Sequence, residues 1–420
     1  MNTSTSASAR TAIAPPTPWG AAPLRILMLH NHYQRPGGED ACFAAEAALL
    51  EAHGHEVVRF TQHNDAVTTM RATTLAAKTL WNREAYGELR RRIRASRPAV
   101  IHAHNLFPLI SPAAYYAAAA EGVPVVQTIH NFRLFCVNAQ FFRDGRPCED
   151  CLGRSVPWPG IRHACYRGSV QQSAGVAALI ATHRALGTWR RKVDVMVALN
   201  DFVRRKLIAG GVSAERIVVK PNFLLADPGA GDGLRDGYAL FAGRLSPEKG
   251  VTTLVDSWPR VPGTLRLRIV GDGPVAAELS MRAAADRRIE LLGQRTPLEV
   301  QELMRGAAAV IVPSKWYELM PLVVIEAFAA GTPVLAARVG ALAELVDDGQ
   351  NGGLFAPGDP NDLAARLVAM LSDEASYRRM RAAARAAFLA RYTAAPNYAA
   401  LMDIYARARG AGRTRSLISA

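Results

Sequence analysis

Residues 313–331 read Pro-Ser-Lys-Trp-Tyr-Glu-Leu-Met-Pro-Leu-Val-Val-Ile-Glu-Ala-Phe-Ala-Ala-Gly. The apolar run 308–312 before this stretch predicts a buried strand. Pro321 then opens a run of good helix formers, and Gly331-Thr332-Pro333 closes it. Proline just inside a helix start and glycine just past its end is the expected asymmetry. A second apolar run, 334–337, follows. Strand, loop, helix and strand make a βαβ unit, which implies a parallel sheet. Glu318 lies in the loop of this unit and Glu326 inside its helix. Between them the helix N-terminus offers free N–H groups and the positive end of a dipole, which suits a phosphate. Flanking carboxylates accept hydrogen bonds from sugar hydroxyls, so the arrangement fits a phosphate with a sugar on each side, a nucleotide-sugar. An amphipathic helix with two solvated acids is the plain alternative for this stretch alone.

Working outward, the second half of the chain repeats the pattern. Strand 238–242 runs into Gly243-Arg244-Leu245-Ser246-Pro247-Glu248-Lys249-Gly250 and a helix. Strand 265–270 runs into Gly271-Asp272-Gly273-Pro274 and a helix over 275–286; strand 289–292 runs into Gly293-Gln294-Arg295 and a helix over 297–305. A turn at 349–355 precedes helices over 360–371, 374–391 and 396–409. The first half begins with strand 25–30, a loop containing Gly37-Gly38, a helix over 41–53 and strand 56–60. Helices over 65–97 and 170–192 and strands 99–102, 123–129, 194–199 and 216–220 complete it. His30, His104 and His130 each follow an apolar strand. Open α/β sheets bind ligands outside the carboxyl ends of their strands, so the three converge on one crevice, with His130 the best candidate. The Gly- and Asp-rich stretch 226–233 reads as a linker. The expected fold is α/β, two doubly wound domains facing a cleft.

A chain of 420 residues has ample core for two or three domains. No apolar run approaches the roughly 18 residues of a spanning helix. Residues 1–23 are rich in Ser, Thr, Ala and Pro without a continuous apolar segment, so a disordered tail is expected and a cytoplasmic location with it. The net charge of +14 is uneven: residues 1–226 hold 27 Lys plus Arg against 15 Asp plus Glu. An anionic partner for this half is expected, a membrane surface at the inner face, a lipid pyrophosphate or an acidic glycan. No nucleic-acid motif is present and aromatic residues are not interleaved with the basic clusters, so nucleic acid is not an expected partner. Helix 170–192, with Trp189 beside Arg190-Arg191-Lys192, is the candidate membrane contact; a core helix with a basic end is the alternative.

Arg244 and Lys249 follow the first strand of the second half, where two cations and the helix start at Pro321 can neutralise a pyrophosphate. The chain contains no Asp-x-Asp for a metal–diphosphate site. Gly243-Arg244…Lys249-Gly250, Gly271-Asp272-Gly273-Pro274 and Glu318…Glu326, in this order and spacing, resemble the family 4 retaining glycosyltransferases of the GT-B fold. The Gly37-Gly38 loop and His130 fit as well, and the resemblance covers residues 25 to about 409. It implies two Rossmann-like domains, an acceptor-side one over 24–225 and a nucleotide-sugar-binding one over 226–394, with a helix over 395–410 crossing back to the first. Arg244 and Lys249 would bind the donor diphosphate and help it leave. Glu326 would hold the ribose hydroxyls. Glu318 would contact the transferred sugar, along with the backbone amides of the run Met320, Pro321, Leu322 and Val323. His130 would lie against the donor sugar near the anomeric carbon. Gly271, Gly273 and the turn at Gln294-Arg295 would line the nucleotide, and Gly37 and Gly38 would lie under the diphosphate from the other domain. One departure stands out: the family often has Gly-Phe-Gly where this chain has Leu319-Met320-Pro321. The implied reaction is sugar transfer with retention to a glycan or lipid-linked acceptor, in surface polysaccharide biosynthesis, without a catalytic cofactor. A nucleotide-sugar epimerase of similar build and a non-catalytic peripheral nucleotide-sugar binder are the competing readings. A glycan phosphorylase is disfavoured, because this chain has no lysine placed in the manner of that enzyme's pyridoxal cofactor site.

Cys136, Cys148, Cys151 and Cys165 fall in one insert, 136–165, with the spacing C-x11-C-x2-C-x13-C. Cys148-x-x-Cys151 is a metal-knuckle spacing, and the stretch has little apolar content to fold on. A structural zinc held by the four thiolates is expected, with four reduced thiols or a redox pair as alternatives. Cys42 lies apart on a predicted helix.

Overall fold

Short aliphatic runs with β-branched residues form strands buried along their whole length, among them Val100–Ala103, Val125–Thr128 and Val195–Ala198. Burial of every position is what strands covered on both faces require. In the first sheet the order is Glu56–His63, Arg25–His32, Val100–Ala103, Val125–Thr128, Val195–Ala198, Ile217–Val219, all parallel. In the second it is Ile289–Gly293, Arg266–Val270, Tyr238–Ala242, Ala309–Val312, Val334–Ala337, Gly352–Phe355, again all parallel. This last order is that of a doubly wound dinucleotide-binding sheet. The protein's computed structural model describes residues 22–35, 37–232 and 237–418, with side chains to residue 411. All but the last two residues of the expected tail 1–23 lie outside the described residues, as does Gly233 of the expected linker.

The long helix Ala394–Ile418 packs against the first sheet: Leu401, Ile404, Tyr405 and Ala408 join one buried cluster with Ile26, Met28, Val126 and Val197. Each large apolar side chain buried there contributes roughly 1.5–3 kcal/mol. Tyr405 Oη lies 2.8 Å from His102 Nδ1 and Tyr398 Oη 2.8 Å from His55 Nε2, so the phenol oxygens are satisfied as well.

Four expectations need correction. Residues 65–97 form two helices, Ala72–Leu80 and Arg83–Ser96, because Asn82 caps the second with its side chain. Helix 170–192 is broken into Val170–Ala185 and Thr188–Lys192 by Gly187 at φ 63°. Trp189 is half-buried and packs on the core, so it is not a free membrane face. The stretch 226–232 is not free either: Asp227 pairs with Arg385 at 2.5 Å, and Gly231 N donates to Ala330 O at 2.9 Å. Helices Ala113–Ala120 and Asp201–Ala209 and the strand Gly352–Phe355 add to the expected elements.

Candidate active site

The second sheet reverses its order of assembly between Tyr238–Ala242 and Ala309–Val312. The loops leaving the carboxyl ends of these strands meet there, at the usual ligand position of such a sheet. Gly250 has φ 68°, and a Cβ on it would lie 1.9 Å from the Pro313 carbonyl oxygen. Gly271, at φ 135°, meets the Gly243 carbonyl oxygen at the same 1.9 Å. Backbone cannot give way at such distances, so glycine alone lets the loops stack. Lys315 N donates to Glu248 O at 2.8 Å and ties two of them together.

Lys249 Nζ lies 2.7 Å from Glu318 Oε1, which also accepts from Ser314 Oγ at 2.7 Å. Glu318 is buried; that burial pushes its carboxyl up, but Lys249 and Ser314 outweigh it and hold the group below the usual carboxylate range. Glu326 is half-buried, and burial pushes its carboxyl up. Hydroxyl donors from a ligand would stabilise its anion. Arg244 is exposed beside this loop. Arg295 is exposed too, but it follows the edge strand Ile289–Gly293, with Arg266–Val270 between that strand and the switch point. The helix Leu322–Ala329 starts at Pro321, which has extended backbone at φ −70° and ψ 121°. Its first N–H groups have no intrahelical partner. Leu319 and Met320, where the sequence departs from the Gly-Phe-Gly pattern, are buried, and their carbonyls accept from Asn200 and Asn222 of the first domain, the latter at 3.2 Å.

The first domain faces that helix start. A Cβ on Gly38 would lie 3.9 Å from Leu322 Cδ1. Asp40 anchors the glycine loop: Oδ2 accepts from Gly37 N at 2.8 Å, and Oδ1 lies 3.0 Å from His30 Nε2 and 3.1 Å from His32 Nδ1. Burial works against the Asp40 anion, but the His30 and Gly37 hydrogen bonds hold it at about 2. Glu39 Oε1 accepts from Asn131 Nδ2 at 3.0 Å, which links the glycine loop to the residue after His130.

His30, His104 and His130 do come together. The His104 and His130 rings stack at 5.2 Å between centroids, with His104 Nδ1 3.0 Å from His130 Nε2, and His30 lies 6.3 Å from His104. Burial, then the neighbouring His104, push the His130 imidazole well below its ordinary value, so it is neutral at pH 7. Beneath the histidines lies a buried ion pair, Lys220 Nζ to Glu46 Oε1 at 2.8 Å, with residue exposures of 0% and 2%. Glu46 Oε2 lies 3.4 Å from His104 Nε2 and 3.6 Å from His102 Nδ1. Sequence reasoning missed Glu46, Lys220, Asp40 and the two asparagines. The available signal for Glu46 was its spacing from Phe43 and Leu50, which makes it an acid on the apolar face of its helix.

The four insert cysteines lie elsewhere, lining one cavity of the first domain together.

Residues 37–222 match the glycosyl transferase 4-like domain and residues 236–373 the glycosyl transferases group 1 domain. An uncharacterized glycosyltransferase of Methanocaldococcus jannaschii is 34% identical over 139 residues, 33% of this chain and 39% of that one, so the chain spans well under two thirds of that relative. A D-inositol 3-phosphate glycosyltransferase of Xylanimonas cellulosilytica is 31% identical over 333 residues, 74% of this chain and 72% of that one. In structure the chain is similar to Anabaena HepE in complex with UDP and glucose, with TM-score 0.63 and 20% identity over 91% of this chain and 100% of that one; this likeness shows the GT-B fold. The facing glycine loop and helix start, the two matched domains and the long alignment agree: this chain belongs to the family 4, group 1 glycosyltransferases.

Proposed function

We propose that the protein is a retaining glycosyltransferase that moves a sugar from a nucleotide-sugar to a glycan or lipid-linked acceptor in surface polysaccharide biosynthesis. The observation that carries this reading is the apposition of Gly38 and Leu322 at 3.9 Å beside the Lys249–Glu318 pair. A diphosphate there meets the glycine backbone of Gly37 and Gly38 on one side, and a helix N-terminus with Arg244 and Lys249 on the other. In the reaction the bond from the anomeric carbon to the diphosphate oxygen breaks, and the acceptor oxygen bonds to the same face. The acceptor proton passes to the departing phosphate oxygen. Arg244, Lys249 and the helix start stabilise the charge that develops on that phosphate, the main catalytic contribution. Glu326 holds the ribose, Glu318 the transferred sugar, and neutral His130 lies against that sugar. This assigns leaving-group stabilisation to protein groups, so turnover should need no added divalent cation. A cavity lined by His130, Asn131, Asn105, Arg133, Tyr115 and Trp189 would seat the acceptor. The Arg133 guanidinium lies over the Phe107 ring at 4.4 Å and the Tyr166 ring at 5.2 Å, which suits an anionic acceptor.

The test is a screen of UDP-, GDP- and ADP-sugars for transfer, repeated with Arg244→Ala and Glu326→Gln. Transfer from one donor, greatly reduced in both folded variants, is expected. Near wild-type transfer in both would sink the site assignment, and donor turnover without acceptor would favour an epimerase.

The basic first half would bring the enzyme to an anionic membrane surface. None of the described helices is long and apolar enough to cross a membrane. Val156, Trp158 and Val170 are exposed at 48%, 47% and 56%, among the exposed Arg154, Arg162 and Arg167. This mix of apolar and basic side chains suits an anionic interface better than the half-buried Trp189. Sedimentation with anionic vesicles should fall with salt and in Trp158→Ala; equal, salt-insensitive binding to neutral vesicles would contradict the electrostatic account.

A further inference from the structure

Between Phe142 and Val156 the one buried residue is Cys151. This outer part of the insert is a hairpin of two-residue strands, Phe142–Arg143 and Arg146–Pro147, followed by the Cys148-Glu149-Asp150-Cys151 turn. Asp144 and Gly145 at φ 52° and 76° fit a tight hairpin turn, which sets the strands but gives them no core. Its ion pairs, such as Arg143 with Asp150 at 2.9 Å, are partly exposed and individually worth little. A unit this small normally needs a metal or a disulfide in place of a core.

The chain brings four thiols to this point from three separate places. Cys136 precedes the hairpin, Cys148 and Cys151 follow it, and Cys165 comes after the short helix Trp158–Arg162. All four line one cavity, together with Arg143 and Gly160. A Cβ on Gly160 would lie 2.5 Å from Val137 Cγ2 and 3.6 Å from Cys151 Sγ, so the wall of the cavity is closely packed. We propose that Cys136, Cys148, Cys151 and Cys165 bind one structural zinc ion, and that the knuckle it holds clamps the donor-side loop at Tyr317.

The chemistry of the donor set fits zinc. Four thiolates complete a tetrahedron with Zn–S of about 2.3 Å and leave no open position, which marks a structural site rather than a catalytic one. Among the described residues the four sulfurs are not drawn together within 4.8 Å of one another. They are turned to local acceptors: Cys136 Sγ donates to Asn138 Oδ1 at 2.9 Å and Cys151 Sγ to the Pro157 carbonyl at 3.8 Å. Loading would exchange these weak contacts for metal bonds. Four thiols lose four protons as zinc binds, leaving a site of charge −2 beside the Arg143 guanidinium.

The knuckle also reaches out of its own domain. Glu149, between the two central cysteines, accepts from Tyr317 Oη at 2.8 Å and from Lys206 Nζ at 2.5 Å. Tyr317 immediately precedes Glu318, and its ring meets Phe202 of the first domain at 4.8 Å. A metal that fixes Cys148 and Cys151 therefore fixes Glu149, and Glu149 fixes the loop that carries Glu318. This second part of the proposal rests on the donor-site reading; the zinc itself does not.

The experiment is elemental analysis of the full chain purified without a metal-affinity tag. About one zinc per chain is expected, lost in Cys148→Ser and in Cys151→Ser and kept in Cys42→Ser. Replacement by cobalt should give the intense thiolate charge-transfer and tetrahedral visible bands of a four-sulfur site. Trypsin should cut the chelated protein at Arg143 or Arg154 and spare the loaded one. Metal-free, folded protein with unchanged protease resistance would overturn the proposal, as would iron with sulfide or a cysteine disulfide found by mass. The clamp is tested separately: Glu149→Gln should keep its zinc and raise the donor KM several-fold, and an unchanged KM would remove the clamp and leave the zinc standing.

Discussion

Replacing Lys220 with methionine tests the buried polar cluster under His130. Lys220 Nζ lies 2.8 Å from Glu46 Oε1 and 3.0 Å from Asn397 Oδ1, with the lysine fully buried. Methionine fills nearly the same volume, so the change removes the charge while adding little cavity. Glu46 is then a buried carboxylate without its cation. Removing one partner of a buried pair costs about 3–5 kcal/mol. For a domain of this size, with about 2–4 °C of melting temperature per kcal/mol, the first-domain transition should fall by roughly 6–20 °C. Glu46→Gln should cost a similar amount by stranding Lys220. The double variant removes both charges and should regain most of the loss, since an ion pair replaced as a whole is often close to neutral. The pH dependence gives an independent check. In the native protein burial opposes the Glu46 anion, but Lys220 and then His104 hold its pKa well below the ordinary value. The stability that Glu46 contributes is thus complete above its unfolded pKa of about 4.3 and is lost as pH falls through the lower folded value. In Lys220→Met burial dominates, the folded pKa rises above the unfolded one, and the penalty grows as pH climbs past about 4.3. The gap between wild type and variant should therefore widen from pH 4 to pH 7. Calorimetry or circular dichroism melts across that range read it directly. A gap that is absent, or independent of pH, would refute the reasoning, and so would a double variant as unstable as the two losses added together.

Three further outcomes are expected. His130→Ala should lower turnover by 10-fold or more, on the order expected when a contact specific to the transition state is lost, with donor affinity nearly unchanged; equal losses in kcat/KM and affinity would show a uniform binding role instead. Gly250→Ala places a Cβ 1.9 Å from the Pro313 carbonyl at a left-handed φ. Strain of at least about 1–3 kcal/mol should move the loop that carries Lys249 and weaken donor binding about 10-fold, measured by calorimetric titration. Burial pushes His102 down to about 3, helped by the neighbouring His104. Because its folded pKa lies below its unfolded one, the stability it contributes is complete above about 6.5 and falls by up to about 1.4 kcal/mol per pH unit as pH drops towards the folded value; His102→Gln should flatten that slope in pH-dependent melts, and an unchanged slope would contradict it.

The second domain was largely legible in the sequence because its loops meet demands of the backbone. Gly250 and Gly271 are dictated by contacts a side chain would block, and Pro321 by the extended residue that starts a helix. Such demands leave residue types at fixed spacing along a short segment, and a reader of the sequence sees them. Tyr238–Ala242 and Val334–Ala337 were placed to the residue for a related reason: strands with a buried centre are short, continuous apolar runs. The break at Gly187 was harder, since a glycine within a helical pattern is as often tolerated as it is a stop. The hairpin in the insert had the Asp-Gly signal at 144–145, but strands of two residues leave no periodicity to support it.

The polar cluster beneath the first-domain histidines was illegible for the opposite reason: its parts meet only through topology. Glu46 comes from the first helix, His102 from the third strand in sequence and His104 from just beyond it, Lys220 from just past the last strand of its sheet. Asn397 and Tyr405 come from the helix at the far end of the chain. No local spacing joins residues separated by 177 positions, as Lys220 and Asn397 are, or by 303, as His102 and Tyr405 are. What topology assembles there has a physical consequence for the site. On the proposed reading, a neutral, desolvated imidazole such as His130 would present a hydrogen-bonding edge to the donor sugar. Burial and then His104 disfavour its charged form, while Glu46 pulls the other way. His104 supplies the adjacent ring nitrogen, and the Glu46–Lys220 pair holds a carboxylate within 3.4 Å of His104. The crossing helix covers the far side through Tyr405. The helix that joins the second domain back to the first is therefore also part of the floor beneath His130. A substitution at its buried face, such as Leu401→Ala, should cost about 2–5 kcal/mol in stability through the cavity it leaves and should disturb turnover together with the melt. A Leu401→Ala protein that melts earlier yet turns over at the wild-type rate at low temperature would separate the helix from the chemistry and leave it a purely structural tie.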